Sequence, residues 1–190
     1  DENLTIETAL DAEITTISAG DFTGDLDITL AAGTTDNSIT LGSGNDSITS
    51  AGTGNDTISA GDGADSIVAG AGNDSISAGS GADTITATDG SDWIDGGSGA
   101  DLITSGAAGT NAATIYGGEG NDSITGASVA NIIDGEEGDD RIVAAGADVA
   151  DSLIGGAGDD TFAFTNDAAG NSFYTADDTV TGGTGTDTLE

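Results

Sequence analysis

Gly61-Asp62-Gly63-Ala64-Asp65-Ser66-Ile67-Val68-Ala69 is followed by Gly70-Ala71-Gly72-Asn73-Asp74-Ser75-Ile76-Ser77-Ala78 and then by Gly79-Ser80-Gly81-Ala82-Asp83-Thr84-Ile85. One nine-residue phrase is repeated. In each copy an aspartate stands two residues before an isoleucine. Working outward, Asp56, Asp65, Asp74, Asp83, Asp92 and Asp101 advance by nine residues at each step, with Ile58, Ile67, Ile76, Ile85, Ile94 and Ile103 in tow. Upstream, Asp46 with Ile48 keeps the pattern ten residues before Asp56. Downstream come Asp122 with Ile124, Asp140 with Ile142, Asp151 with Leu153 and Asp160 with Phe162. Asp178 with Val180 and Asp187 with Leu189 complete the series. A fixed short period of this kind belongs to a solenoid.

Full copies such as Gly96-Gly97-Ser98-Gly99-Ala100-Asp101 and Gly155-Gly156-Ala157-Gly158-Asp159-Asp160 give the consensus G-G-x-G-x-D-x-U-x, U being a large apolar residue. Aspartate is position six and U position eight. Position eight lies in a short strand, so its side chain and those beside it face opposite ways. The isoleucines point inward and the Ser, Thr and Asp beside them point to water. Two nonamers make one coil, with one strand in each of two parallel sheets. Successive coils stack about 4.8 Å apart.

The pattern resembles the calcium-binding nonapeptide of the RTX (repeats-in-toxin) proteins over roughly residues 41–190. The resemblance implies an all-β fold, a right-handed parallel β-roll (a β-solenoid) with calcium ions between successive glycine-rich turns. Calcium takes six to eight oxygen ligands, more than one nonamer offers but within reach of two stacked turns. Carried onto this chain, one edge of the roll holds Asp46, Asp65, Asp83, Asp101, Asp122, Asp140 and Asp160, and the other Asp56, Asp74, Asp92 and Asp151. Asp178 and Asp187 extend the same motif. The implied carbonyl donors include Gly61, Gly63, Gly70, Gly72, Gly79, Gly81, Gly97 and Gly99. The cofactor implied is several Ca2+ ions.

Composition narrows the alternatives. The chain has 190 residues, 35 acids and one base, Arg141, for a formal charge of −34. It has no Lys, His, Cys, Met or Pro. Nucleic acid and anionic membranes need basic residues, so neither is a partner by charge. No His or Lys is present to activate a Ser or Thr nucleophile. The carboxylates are too periodic for a glycosidase pair, so no enzymatic role is expected. No stretch is long or apolar enough for a transmembrane segment. Self-repulsion opposes compaction at low ionic strength, and divalent ions would remove that cost.

The repeat has faults. Position six on the second edge is Ala113 and Asn131 where aspartate is due, and ion sites there should be weak or missing. Extra residues predict irregular loops near 105–113, 144–150 and 164–177, with Phe173 and Tyr174 covering apolar surface in the last. Residues 1–40 lack glycine-aspartate turns and alternate as short strands. They are expected to be calcium-poor coils leading into the roll at 41–190, either capping it or continuing a longer solenoid. Residues 33–40, with Asn37 and Ile39 in phase, form an eroded nonamer. Trp93, at position seven, should face outward, either anchoring an interface or covering a neighbouring ladder. Arg141, beside Asp139 and Asp140, should make an ordinary surface ion pair. Acids off position six, such as Asp62, Asp89, Asp95, Asp134, Asp139, Glu136 and Glu137, should be solvated.

The chain lacks Met at its start and ends within a repeat, as expected of a piece of a longer protein. Ser/Thr-rich coils leading into such repeats, almost without basic residues, resemble the calcium-dependent surface-layer proteins of Gram-negative bacteria. That resemblance implies a secreted structural segment that leaves by type I secretion. It would fold on extracellular calcium and self-associate into a lattice, with any contact to cell-surface polysaccharide made by other parts. An adhesin stalk, or the C-terminal secretion module of a protease or lipase, fits the same repeats.

Overall fold

The structure is a computed structural model. It describes residues 2–6, 9–106, 112–145, 150–165 and 176–190. Most of the three expected loops, with Phe173 and Tyr174, lies outside the described residues.

The short apolar-centred segments all become strands, and every pairing is parallel. One sheet has ten strands: Leu4–Thr5, Leu26–Leu30, Ser47–Ser50, Ser66–Gly70, Thr84–Ala87, Leu102–Ser105, Ser123–Thr125, Arg141–Ala144, Thr161–Phe164 and Thr188–Leu189. The facing sheet has nine: Thr16–Ser18, Ser38–Thr40, Thr57–Asp62, Ser75–Ser80, Trp93–Ser98, Thr114–Glu119, Ile132–Glu137, Ser152–Ala157 and Thr179–Thr184. The chain alternates between the sheets at each strand, so each coil contributes one strand to both. This is a two-sheet parallel β-solenoid, as the repeat predicts.

Register follows the motif. In one sheet Ile48, Ile67, Ile85, Ile103, Ile124, Ile142 and Phe162 stack directly upon one another. In the other, Ile39, Ile58, Ile76, Ile94, Ile115, Ile133 and Leu153 do the same. These side chains are at most 1% exposed. A slip of one residue would turn each ladder to water, so the apolar pattern pins the register. The longer coils do not disturb it. Ile103 pairs with Ile124 across the insertion that contains residues 107–111.

Two residues after most ladder positions the chain again faces inward, and there it is small: Ala60, Ala69, Ala78, Ala87, Gly96, Gly117, Gly135 and Gly155, with Leu41 and Phe164 the large exceptions towards the two ends. Little space remains at this level of the core, because the position-six side chains fold into it.

Candidate metal centre

Each aspartate at position six sits at the turn just before a strand and points inward. The parallel ladder forces this, since position eight faces the core and position six shares its side of the chain. Asp46, Asp65, Asp83, Asp101, Asp122, Asp140 and Asp160 line one edge of the roll, and Asp56, Asp74, Asp92 and Asp151 the other. All eleven are buried, at 1–4% exposure. Asp178 is half-buried and Asp187 exposed, at the last coil.

The two carboxylate oxygens do different things. Oδ1 accepts a hydrogen bond from the backbone N–H of the position-six residue one coil earlier. Asp46 donates to Asp65 at 2.7 Å, Asp65 to Asp83 at 2.7 Å, Asp83 to Asp101 at 2.8 Å and Asp101 to Asp122 at 2.8 Å. On the second edge Asp56 donates to Asp74 at 2.8 Å and Asp74 to Asp92 at 3.0 Å. Oδ2 of Asp46, Asp65, Asp74, Asp83, Asp92, Asp101, Asp122, Asp140 and Asp160 is buried without a hydrogen-bond partner. Such an atom costs about 1–3 kcal/mol, more when charged. An orphaned anionic oxygen repeated at every coil is the mark of a cation site.

Backbone carbonyls complete the oxygen supply. In most turns positions two and four are glycines with φ well above zero, such as Gly79 (115°) and Gly81 (135°); Gly52 and Gly54, ahead of Asp56, are not in that conformation, and Thr88 stands at position two ahead of Asp92. Positive φ aims the glycine carbonyl oxygens along the stack: a Cβ built on Gly97 or Gly99 would overlap the carbonyl oxygen of Gly79 or Gly81 below. The expected donors Gly61, Gly63, Gly70, Gly72, Gly79, Gly81, Gly97 and Gly99 all have positive φ. At position two of a later turn Glu136 replaces glycine. It takes φ 71° and keeps its carbonyl oxygen in the row, against Gly156. Among the described residues no three acidic side chains gather at one point. The oxygens available at each turn are carboxylates and backbone carbonyls, a donor chemistry that suits calcium.

Two features escaped the sequence. Position five carries a second ladder on the outer side of the turns: Asn45 accepts from the N–H of Ala64, Asn55 from Asn73, and Asp139 from Asp159. The recurrence of Asn at 45, 55, 73 and 121 was its visible signal. Asp139 is thus exposed but also engaged. The two faults on the second edge also differ in kind. At Ala113 there is no side-chain acceptor, whereas Asn131 is buried and keeps the ladder on both sides. Arg141 makes the surface ion pair expected of it. It reaches Glu190 at 3.9 Å and not Asp139 or Asp140. Asp140 is turned into the core, and stacking places Thr161 and then Thr188 above Arg141, which brings Glu190 alongside. Both partners are more than half exposed, so the pair contributes little.

Burial pushes the position-six carboxyls up, Asp74 and Asp122 to about 7 and Asp65, Asp101 and Asp140 to about 6. The backbone hydrogen bond at Oδ1 partly opposes this, and neighbouring aspartates add to it. Protonation therefore favours the ion-free fold. Below the ordinary carboxylate pKa of 3.8 the folded state carries no penalty, and the penalty grows as pH rises through 6–7. Metal-free protein should accordingly gain β-structure by far-UV circular dichroism when taken from pH 7.5 to pH 5. Molar sodium chloride at pH 7.5, which screens surface repulsion, should not reproduce the gain. Equal effects of salt and acid would show that long-range repulsion, not burial, opposes the ion-free fold.

The profile of the RTX calcium-binding nonapeptide repeat matches residues 29–52, 50–85, 77–109, 108–142, 116–149, 144–166 and 175–190. Searches of curated proteins and of solved structures returned no match. The matched segments span well over half of the chain and contain both aspartate rows, with their orphaned oxygens and glycine carbonyls. Such repeats bind several calcium ions and are typical of secreted bacterial proteins. The chain belongs to the RTX calcium-binding nonapeptide-repeat family.

Proposed function

We propose that this chain is the calcium-folded structural segment of a secreted bacterial surface-layer protein. The observation that carries the calcium mechanism is the pair of aspartate rows in which Oδ1 ties one coil to the next and Oδ2 is left without a partner. The assigned ligands are Asp46, Asp56, Asp65, Asp74, Asp83, Asp92, Asp101, Asp122, Asp140, Asp151, Asp160, Asp178 and Asp187. The carbonyls of Gly61, Gly63, Gly70, Gly72, Gly79, Gly81, Gly97 and Gly99 complete the sites. Bound calcium supplies the positive charge that these oxygens lack. The residues hold it between coils, exclude water, and so convert binding free energy into folding free energy. In a low-calcium cytosol the chain remains unfolded for export, and it folds outside the cell. Residues 1–40 form calcium-poor coils at the start of the stack.

Two observations support the surface-layer reading. The chain contains no His, Cys or Lys with which to build catalysis. The outer face of the nine-stranded sheet also displays apolar groups suited to lateral contacts. Trp93 is 42% exposed with its ring centroid 6.1 Å from that of Tyr116, and Ile132, two coils further along the same column, is 50% exposed. Electron microscopy in millimolar calcium should show ordered arrays that vanish on chelation. Calcium-folded protein that stays monomeric at all concentrations would overturn the lattice role and leave the calcium mechanism standing.

A further inference from the structure

Asn131 occupies position six on the second edge, and its turn differs from the others in three ways. First, its side-chain nitrogen takes the place of the orphaned oxygen. A Cβ added to Gly126, five residues ahead, would lie 2.9 Å from Asn131 Nδ2. A Cβ on the equivalent Gly96 would lie 2.5 Å from Asp101 Oδ2. Second, that nitrogen is fully engaged. It donates to the carbonyls of Ala127 at 2.9 Å and Val129 at 2.5 Å, and it faces Asp151 Oδ1 at 3.2 Å. Oδ1 of Asn131 accepts from the Ala113 N–H at 3.3 Å, which fixes which end of the amide is nitrogen. Third, Ala127 and Val129 stand at positions two and four, where most of the ion-binding turns have glycine at both and the Asp92 turn keeps it at position four. Neither has positive φ: Glu136 is the one non-glycine residue that does among those described.

We propose that the Asn131 amide performs at this turn the task calcium performs at the others. It presents N–H donors to two turn carbonyls and to the carboxylate of the next coil. The turn at 126–131 is therefore closed without an ion. Residues 1–40 hold a related amide, which ties its coil to the one before rather than closing its own turn. Asn37, in the eroded nonamer, donates through Nδ2 to the Ile14 carbonyl, and its N–H donates to Asp56 Oδ1 at 2.9 Å. The second edge thus carries amides in place of carboxylates on both sides of its Asp56, Asp74 and Asp92 row, and at Asn131 the amide closes the turn. The first edge has aspartate at every coil from Asp46 onward. The two edges differ in how far they depend on calcium, a property beyond calcium binding itself.

Asn131→Ala and Asn131→Asp test this, with bound ions counted by equilibrium dialysis and Tm followed from low to saturating calcium. Asn131→Ala should bind as many ions as the wild type and melt several degrees lower, by an amount that added calcium does not recover. Asn131→Asp places a carboxylate among carbonyls, so its deficit should be largest at low calcium and shrink as calcium rises. Loss of an ion in Asn131→Ala would show that the amide oxygen is a ligand and would overturn the proposal. So would an unchanged Tm in that variant, or an Asn131→Asp deficit indifferent to calcium. If Asn131→Asp fails to fold, the ion count and Tm of Asn131→Ala still decide.

Discussion

Stripped of calcium at neutral pH, the chain should lose its β-structure in one cooperative step and regain it when calcium is restored. Nine buried Oδ2 atoms without partners confront the ion-free fold. At about 1–3 kcal/mol each, and more for charged groups, together they match or exceed the roughly 5–15 kcal/mol by which a domain is stable. The formal charge of −34 adds repulsion. Calcium reverses both terms. A single site at 100 times its Kd contributes about 2.7 kcal/mol, and the sites act together because each coil packs only on its neighbours. Far-UV circular dichroism during chelation and calcium titration measures the transition. Calorimetry on the same samples counts the ions. An unchanged spectrum after complete removal of metal at pH 7.5 would mean that the orphaned oxygens cost little, and the folding role of calcium would fall.

Much of this was legible in the spacing of Asp65, Asp74 and Asp83. A nine-residue step puts Ile67 over Ile85 and Ile76 over Ile94, because parallel strands in register bring equivalent motif positions together. Burial of the position-six aspartates follows from the same parity. The division of labour within each carboxylate was not legible. Which oxygen meets an N–H and which is orphaned depends on how one coil sits on the next, and spacing along the chain does not encode that. Ala113 and Asn131 looked alike as missing aspartates, yet a methyl group has no donor and an amide has two. The absence of glycine at 127 and 129 was the available clue that this turn has another shape. The surface ion pair of Arg141 was legible but its partner, Glu190, was not, because stacking and not sequence brings the two together. In a solenoid the residue one coil away is closer to a side chain than the residue next to it in sequence.

Gly81→Ala should be among the most damaging single substitutions, although it adds only a methyl group. Gly81 has φ 135°, a conformation that costs a residue with a side chain about 1–3 kcal/mol. Its added Cβ would also overlap the Gly63 carbonyl oxygen and crowd the Ala64 nitrogen, 3.2 Å away. These neighbours are backbone and cannot rotate aside. Nor can the coil slide, because Gly63 N–H donates to Ser80 O at 2.6 Å and Gly81 N–H to Ser98 O at 2.7 Å. The coils must part, and the carbonyl row proposed to line the ion sites parts with them. Gly52→Ala is the control. Its Cβ would stand 3.0 Å from Gly33 O and its φ is not positive, so a shift of a few tenths of an ångström accommodates it. In saturating calcium Gly81→Ala should melt far below Gly52→Ala and bind fewer ions. Equal Tm values with a full complement of ions would show that carbonyl placement at position four does not control the sites.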